Sequence, residues 1–292
     1  MRLLAFGGWG QLGSELAIVA TGRHELVRPT RAEADVTDPD AIGRAVSGVR
    51  PDAVLNLAAF HKVERCEEDP GAAMAVNGLG AWSVARAAFL AGARCVFVST
   101  DYVFDGRDPK GYEEDGPVRP VNVYGVSKAA GERLCGLACP GSLVVRGSGL
   151  FGHAGSSGKG GNFVETVLAK ATAGEPLSVV DDQTTSPTAA RDMAERILLL
   201  LERDAPPGTY HAANAGRCSW FEFARAILDL AGLSTDLTRR SSTDDPVKRP
   251  PCSVLIDTKS SLFGLPPARS WRDALGWYLA HRPQRAPAAG RA

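Results

Sequence analysis

Apolar residues follow two rhythms in the first half of this 292-residue chain. Short, nearly continuous runs at Arg2–Phe6, Ala53–Leu57, Arg94–Ser99 and Ser142–Val145 predict strands buried on both faces, and His24–Arg28 adds a further one. Between them, segments around 39–48, 71–91 and 122–138 predict helices, and an apolar-periodic stretch through about Thr21 predicts another after the first strand. Strands alternating with helices specify an α/β fold, a doubly wound parallel sheet with helices on both faces. From about residue 151 the rhythm changes. Helices are expected over 162–172, 190–203, 221–231 and 271–281, with short strands at 177–180 and 209–212. The expected organisation is a first domain over 1–150 and a smaller one over 151–281 that interleaves with it.

The joint between the first strand and first helix reads Gly7-Gly8-Trp9-Gly10-Gln11-Leu12-Gly13. Glycines at 7, 10 and 13 allow a tight turn, close approach of a pyrophosphate and close packing of helix on strand, and the helix N-terminus faces the negative charge. In that position the turn is the dinucleotide site of a Rossmann-type sheet, although its glycine spacing differs from the commoner fingerprint. Ligands of such sheets gather beyond the carboxyl ends of the strands. There the glycine turn meets Asn56-Leu57-Ala58-Ala59 and Ser99-Thr100-Asp101-Tyr102. On the 122–138 helix, Tyr124 and Lys128 stand four residues apart and share a face. A neighbouring ammonium favours a phenolate, so the pair suits proton transfer, whereas a lone helical Tyr would more simply be a packing residue.

Composition narrows the classes. Basic and acidic residues balance at 33 each, which leaves no electrostatic footprint for nucleic acid. No apolar run reaches transmembrane length, and the opening MRLLAFGG is used by the first strand and its turn, so no membrane association or signal peptide is expected and a cytoplasmic location is. Six cysteines at 66, 95, 135, 139, 218 and 252 show no zinc spacing and are expected to be free thiols. The Pro/Ala/Arg-rich residues 283–292 are expected to be disordered. Residues 155–161, Gly/Ser-rich, read either as a lid or as an idle linker.

Together these motifs resemble the extended short-chain dehydrogenases/reductases, and within them the nucleotide-sugar 4-keto reductases of the dTDP-4-dehydrorhamnose reductase type. The resemblance covers about residues 1–281. It rests on the glycine turn, Asn56 to Ala59, the run Ser99 to Gly106, Asn122 to Lys128, Gly161-Asn162-Phe163, Asp182-Gln183, Ser186-Pro187-Thr188 and Arg249-Pro250 with Ser253. It implies that Tyr124 gives a proton to a sugar ketone as hydride arrives, that Lys128 holds the nicotinamide ribose and lowers the Tyr pKa, and that Thr100 polarises the ketone oxygen. It implies cofactor contacts at Gly7, Gly10, Gln11, Leu12, Asp35, Val36, Leu57, Ala58 and Ala59. Arg28 and Arg31 stand where an acidic residue would select NAD, which favours NADPH and leaves NADH open. For the nucleotide sugar the resemblance implies His61, Val63, Tyr102, Gly149, Asn162, Phe163, Gln183 and Arg249. It also leaves a homodimer open.

Departures from that family matter as much. Related dehydratases resemble Thr-Asp-Glu where this chain has Thr100-Asp101-Tyr102 and use both acids, so with Tyr at 102 dehydration is disfavoured. Rhamnose-forming members carry Trp where this chain has Gly149, and Phe60 replaces a smaller ring nearby. The sugar pocket is therefore expected to differ, with Phe60 the candidate filler and a 4-keto sugar other than the usual rhamnose precursor the expected substrate. His61, with Cys66 close by, reads as a second acid/base or as a hydrogen-bonding group. Glu15 occupies a place where some members bridge subunits through a metal, but its counterpart here is Arg191, so no metal is expected. Two other readings stay open: a nucleotide-sugar epimerase with tightly held NAD, and a non-catalytic regulatory subunit of the same fold.

Overall fold

The computed structural model describes residues 1–154 and 161–282; the Gly/Ser-rich loop and the terminal segment singled out above lie outside the described residues except for Gly161. Strands β1 (Arg2–Phe6), β2 (Glu25–Val27), β3 (Ala53–Asn56), β4 (Arg94–Thr100) and β5 (Leu143–Gly147) all pair in parallel. Helices α1 (Gln11–Ala20), α2 (Pro39–Val49), α3 (Val63–Glu68), α4 (Pro70–Ala73), α5 (Gly80–Leu90) and α6 (Val123–Ala138) connect them.

Thereafter come β6 (Leu150–Phe151), α7 (Phe163–Thr172), β7 (Leu177–Val180), β8 (Thr184–Thr185), β9 (Thr188–Ala189), α8 (Ala190–Glu202), β10 (Gly208–His211), β11 (Cys218–Ser219), α9 (Trp220–Ala231), β12 (Leu237–Arg240) and α10 (Trp271–His281). The main sheet has the order β10-β5-β4-β3-β1-β2, so the strand order reverses between β1 and β3. A ligand crevice opens at such a reversal. The strand at 208–211 joins this sheet alongside β5 rather than staying with the later elements.

Alternation within β1 shows how the sheet is buried twice. Leu3 and Ala5 face a core with Leu16 of α1 and Met193 and Ile197 of α8; Leu4 and Phe6 face another with Ile42 of α2 and Val84 of α5. A third core joins α7, α9 and α10 through Val167, Phe223, Ile227 and Leu275. The predicted 71–91 helix is instead three pieces, with a π-helical stretch at Met74–Leu79 between α4 and α5. Within that stretch Asn77 is fully buried, accepts from the Phe60 amide at 2.9 Å, and donates to the Phe60 carbonyl and to Ser127 Oγ, both at 2.9 Å. The irregular turn thus ties the loop after β3 to α6, which is where π-bulges commonly serve a site. No helix among the described residues is long and apolar enough to cross a membrane.

Candidate active site

A cleft of about 1060 Å³ runs along the carboxyl ends of the strands. The glycine turn forms one end. Gly7 has φ +72°, and a Cβ there would lie 2.6 Å from the Ala58 amide nitrogen, so only glycine lets the turn sit against the segment after β3. Helix α1 starts at Gly10 with no side-chain cap and no acidic residue in its first turn. Its first amides are left for an outside acceptor, which is what a phosphate-binding helix start requires. Buried Gln11 Oε1 and Ser99 Oγ have no partner among the described residues, and both residues line the cleft. Orphaned buried polar atoms at a cavity fit a polar ligand.

Most of the expected site residues meet on this cleft: Gly7, Gly10, Gln11, Leu12, Arg31, Asp35, Val36, Leu57, Ala58 and Ala59 at the cofactor end, Thr100, Tyr102 and Tyr124 in the middle. At the far end stand His61, Val63, Gly149, Asn162, Phe163, Gln183 and Arg249. Arg28 and Lys128 do not line it. The Arg28 side chain lies across Gly8, donates to the Gly8 carbonyl at 3.2 Å, and stacks its guanidinium 4.1 Å from the Trp9 ring. Arg31, exposed, pairs with Asp35 at 2.7 Å. Against the burial that would raise it, hydrogen bonds from Thr37 and Arg31 hold Asp35 below the usual carboxylate range.

Asn122 caps α6 by accepting from the Gly125 amide at 2.8 Å, and this places Tyr124 in the first turn beside Thr100. Burial pushes the Tyr124 phenol well above its ordinary pKa, against a hydrogen bond with Thr100 that lowers it. The expected lowering by Lys128 is therefore corrected. Lys128 is 2% exposed, donates to the Val98 carbonyl at 2.6 Å and sits 4.0 Å from the Phe97 ring. Its own pKa falls to about 7 because burial disfavours the ammonium. A phenol held neutral is a proton donor, not a base, and that is the form an acid catalyst needs.

The sugar end brings in a residue that the sequence reading did not single out. Gly149 has φ +51°, and a Cβ placed there would stand 3.6 Å from Trp220 Cη2. The space opened by the missing side chain is thus bordered by Pro187, Thr185 and Trp220, the first residue of α9, and Phe60 lines the same cleft. Trp220 lines the cleft and packs edge-on against Phe163 at 4.8 Å. Sequence reading overlooked Trp220 because it lies 71 positions from Gly149; the sole local signal was a Ser219/Glu222 capping box that starts a helix there. Arg249 pairs with Glu64 and lies 3.6 Å from Asp245, and it also bonds Tyr102. Cys66, buried, donates to the Phe60 carbonyl at 3.3 Å. All six cysteines are buried, and none forms a disulfide among the described residues. Glu15 accepts from His153 Nδ1 at 2.6 Å, while the Arg191 guanidinium lies over Trp277 at 4.8 Å.

Comparison with known proteins agrees with this geometry. The chain is 38% identical over 284 residues to the spore coat polysaccharide biosynthesis protein SpsK of Bacillus subtilis, covering 96% of this chain and 98% of that one. It is 38% identical over 287 residues to the dTDP-4-dehydrorhamnose reductase of Mycobacterium tuberculosis, covering 96% and 92%. The structure of the Bacillus anthracis dTDP-4-dehydrorhamnose reductase in complex with NADP superposes with a TM-score of 0.90 at 33% identity, covering 96% and 98%. With residues 1–283 matching its description, the chain belongs to the RmlD substrate binding domain family.

Proposed function

We propose that this protein reduces the 4-keto group of a dTDP-linked deoxysugar with NADPH, and that Tyr124 supplies the proton. The observation that carries the reading is one continuous cleft with an uncapped, glycine-lined helix start at one end, a neutral phenol beside Thr100 at its centre, and Arg249 and Gln183 at the other. The relatives from Mycobacterium tuberculosis and Bacillus anthracis are reductases by name, and the latter's structure is in complex with NADP. The turn at Gly7 to Gly13 would hold the pyrophosphate, with Arg28 and Arg31 near the adenosine end, and the bound nicotinamide would supply hydride. Tyr124 then protonates the oxygen on which charge develops. Lys128 would hold the ribose by turning from the Val98 carbonyl toward the cleft. A cytoplasmic setting is part of the proposal, since six cysteines with no disulfide among the described residues suit a reducing compartment.

Replacing Tyr124 by Phe tests the assignment. Turnover of dTDP-4-keto-6-deoxysugars should fall by about 10²- to 10⁴-fold, the usual share of general acid catalysis, while NADPH binding persists because the ring remains. A variant that keeps its rate removes Tyr124 from the mechanism.

A further inference from the structure

Directly behind Thr100 lies a carboxyl group that the mechanism so far leaves unused. Asp101 is 3% exposed, and burial raises its pKa against the hydrogen bonds that favour its charged form. Those bonds come from three hydroxyls, Ser253, Ser148 Oγ at 2.7 Å to Oδ2 and Thr100 Oγ1 at 2.9 Å to Oδ1, and from the residue's own backbone amide. The phenols of Tyr102 and Tyr124 also face it, with Arg249 and Glu64 beyond Tyr102. Among the described residues no lysine or arginine is bonded to this carboxyl.

A threonine hydroxyl has one proton and two lone pairs. One lone pair of Thr100 is taken by the Tyr102 amide at 3.2 Å, which leaves one O–H and one lone pair for two neighbours, Asp101 and Tyr124. If Thr100 donates to Asp101, it can only accept from Tyr124. If Asp101 carries the proton and donates to Thr100, then Thr100 donates to Tyr124, whose own proton is free to point at the substrate. The whole chain turns as a unit.

We propose that Asp101 is the proton store behind Tyr124, feeding it through Thr100. The inference rests on the reductase reading above. As hydride adds to the ketone carbon, the carbonyl π pair becomes the alkoxide pair and takes the Tyr124 proton. The phenolate takes the Thr100 proton and the Thr100 oxygen takes that of Asp101. The products are the alcohol and an Asp101 carboxylate that accepts from Thr100, Ser148 and Ser253. No charge is left on the buried phenol, where desolvation would make it costly. Ser148 continues the path, since its hydroxyl is 2.6 Å from Thr185, which lines the cleft through which the carboxylate recovers a proton.

Asp101 must be protonated at the start of a cycle, so kcat should fall as pH rises through its titration. In Asp101→Asn, which keeps the shape but cannot release a proton, kcat should drop by about tenfold or more with KM nearly unchanged, and that fall with pH should be absent. Ser148→Ala removes a bond to the charged form and should move the same limb to higher pH. An infrared titration of the buried carboxyl in the cofactor-free protein should show the limb's midpoint, shifted upward by Ser148→Ala and lost in Asp101→Asn. A merely structural Asp101 would lower thermal stability and leave the shape of the pH profile unchanged, which overturns the proposal. So does an unshifted limb in Ser148→Ala, which also decides the matter should Asp101→Asn fail to fold. If Tyr124→Phe abolishes turnover while these profiles stay wild-type, the relay fails and the reductase reading stands; if the wild-type protein turns over no keto sugar, both fail.

Discussion

Removing the Trp220 indole should loosen the grip on the sugar. The ring borders the space over Gly149, lines the cleft, and packs edge-on against Phe163, which also lines it. A Trp side chain offers roughly 200 Å². With one face committed to Phe163 and its neighbours, about 100 Å² remains for substrate, worth about 2.5 kcal/mol at 25 cal/mol/Å² as an upper bound. A tenfold change corresponds to about 1.4 kcal/mol, so Trp220→Ala should raise KM for the nucleotide sugar by up to about 60-fold. Because this contact is made equally in ground and transition states, kcat should change little, and KM for NADPH should stay constant. Trp220→Phe should recover part of the loss. Steady-state kinetics with each substrate varied in turn reads all three quantities, and a melting curve separates lost binding from a weakened core. If Trp220→Ala lowers thermal stability but leaves the sugar KM unchanged, the ring is core packing and the assignment is wrong. Gly149→Trp would not imitate the rhamnose-forming enzymes. Its backbone lies at φ +51°, and its side chain would meet Trp220, so a variant with improved use of the rhamnose precursor would contradict this geometry.

Three other outcomes are expected. The double variant Arg28→Ala, Arg31→Ala should cut the NADPH to NADH ratio of kcat/KM by about tenfold or more, since a charge-assisted hydrogen bond is worth about 1.5–3 kcal/mol; an unchanged ratio would make both arginines mere surface charge. In single variants, Arg28 should matter more, because it is already held by Trp9 and Gly8 whereas Arg31 must leave Asp35. Lys128→Met should weaken cofactor binding in titration yet raise the melting temperature near neutral pH. The sign follows from a folded pKa of about 7 below the ordinary 10.5: between them the unfolded state binds the extra proton, so wild-type stability rises with pH and the variant's advantage should shrink across that window. An advantage that grows with pH would contradict the buried ammonium.

The layered α/β architecture was legible because buried parallel strands such as Arg2–Phe6 are apolar after the first residue and are separated by helix-length segments. Boundaries came within about two residues for α2, α6 and α10. The π-helical turn at Met74–Leu79 was not legible, since a one-residue shift in hydrogen bonding leaves the apolar spacing nearly unaltered. Nor was β12, whose Leu237-Thr-Arg-Arg is mostly exposed and carries little apolar signal. Within the site, the glycine turn and the Tyr124/Lys128 pair showed in local spacing. The Trp220 wall, the Arg28–Trp9 stack and the Ser148 and Ser253 hydroxyls at Asp101 did not, because each joins side chains apart in the chain and exists only after folding. The direction of the Tyr124 pKa was misread for a related reason: spacing put Lys128 on its face of the helix, but the ammonium is drawn to the Val98 carbonyl instead.

The central claim is net reduction of a dTDP-linked 4-keto sugar at the expense of NADPH. The most direct test follows the reduced-nicotinamide absorbance while purified protein and NADPH meet a panel of dTDP-4-keto-6-deoxysugars, with the sugar product quantified in parallel. The account predicts loss of NADPH equimolar with formation of the 4-hydroxy sugar, and no sugar conversion when NADPH is omitted. Sugar isomerised with no net loss of NADPH would make the protein an epimerase, and no conversion with any sugar, despite NADPH binding, would make it a silent member of the fold; either result contradicts the account.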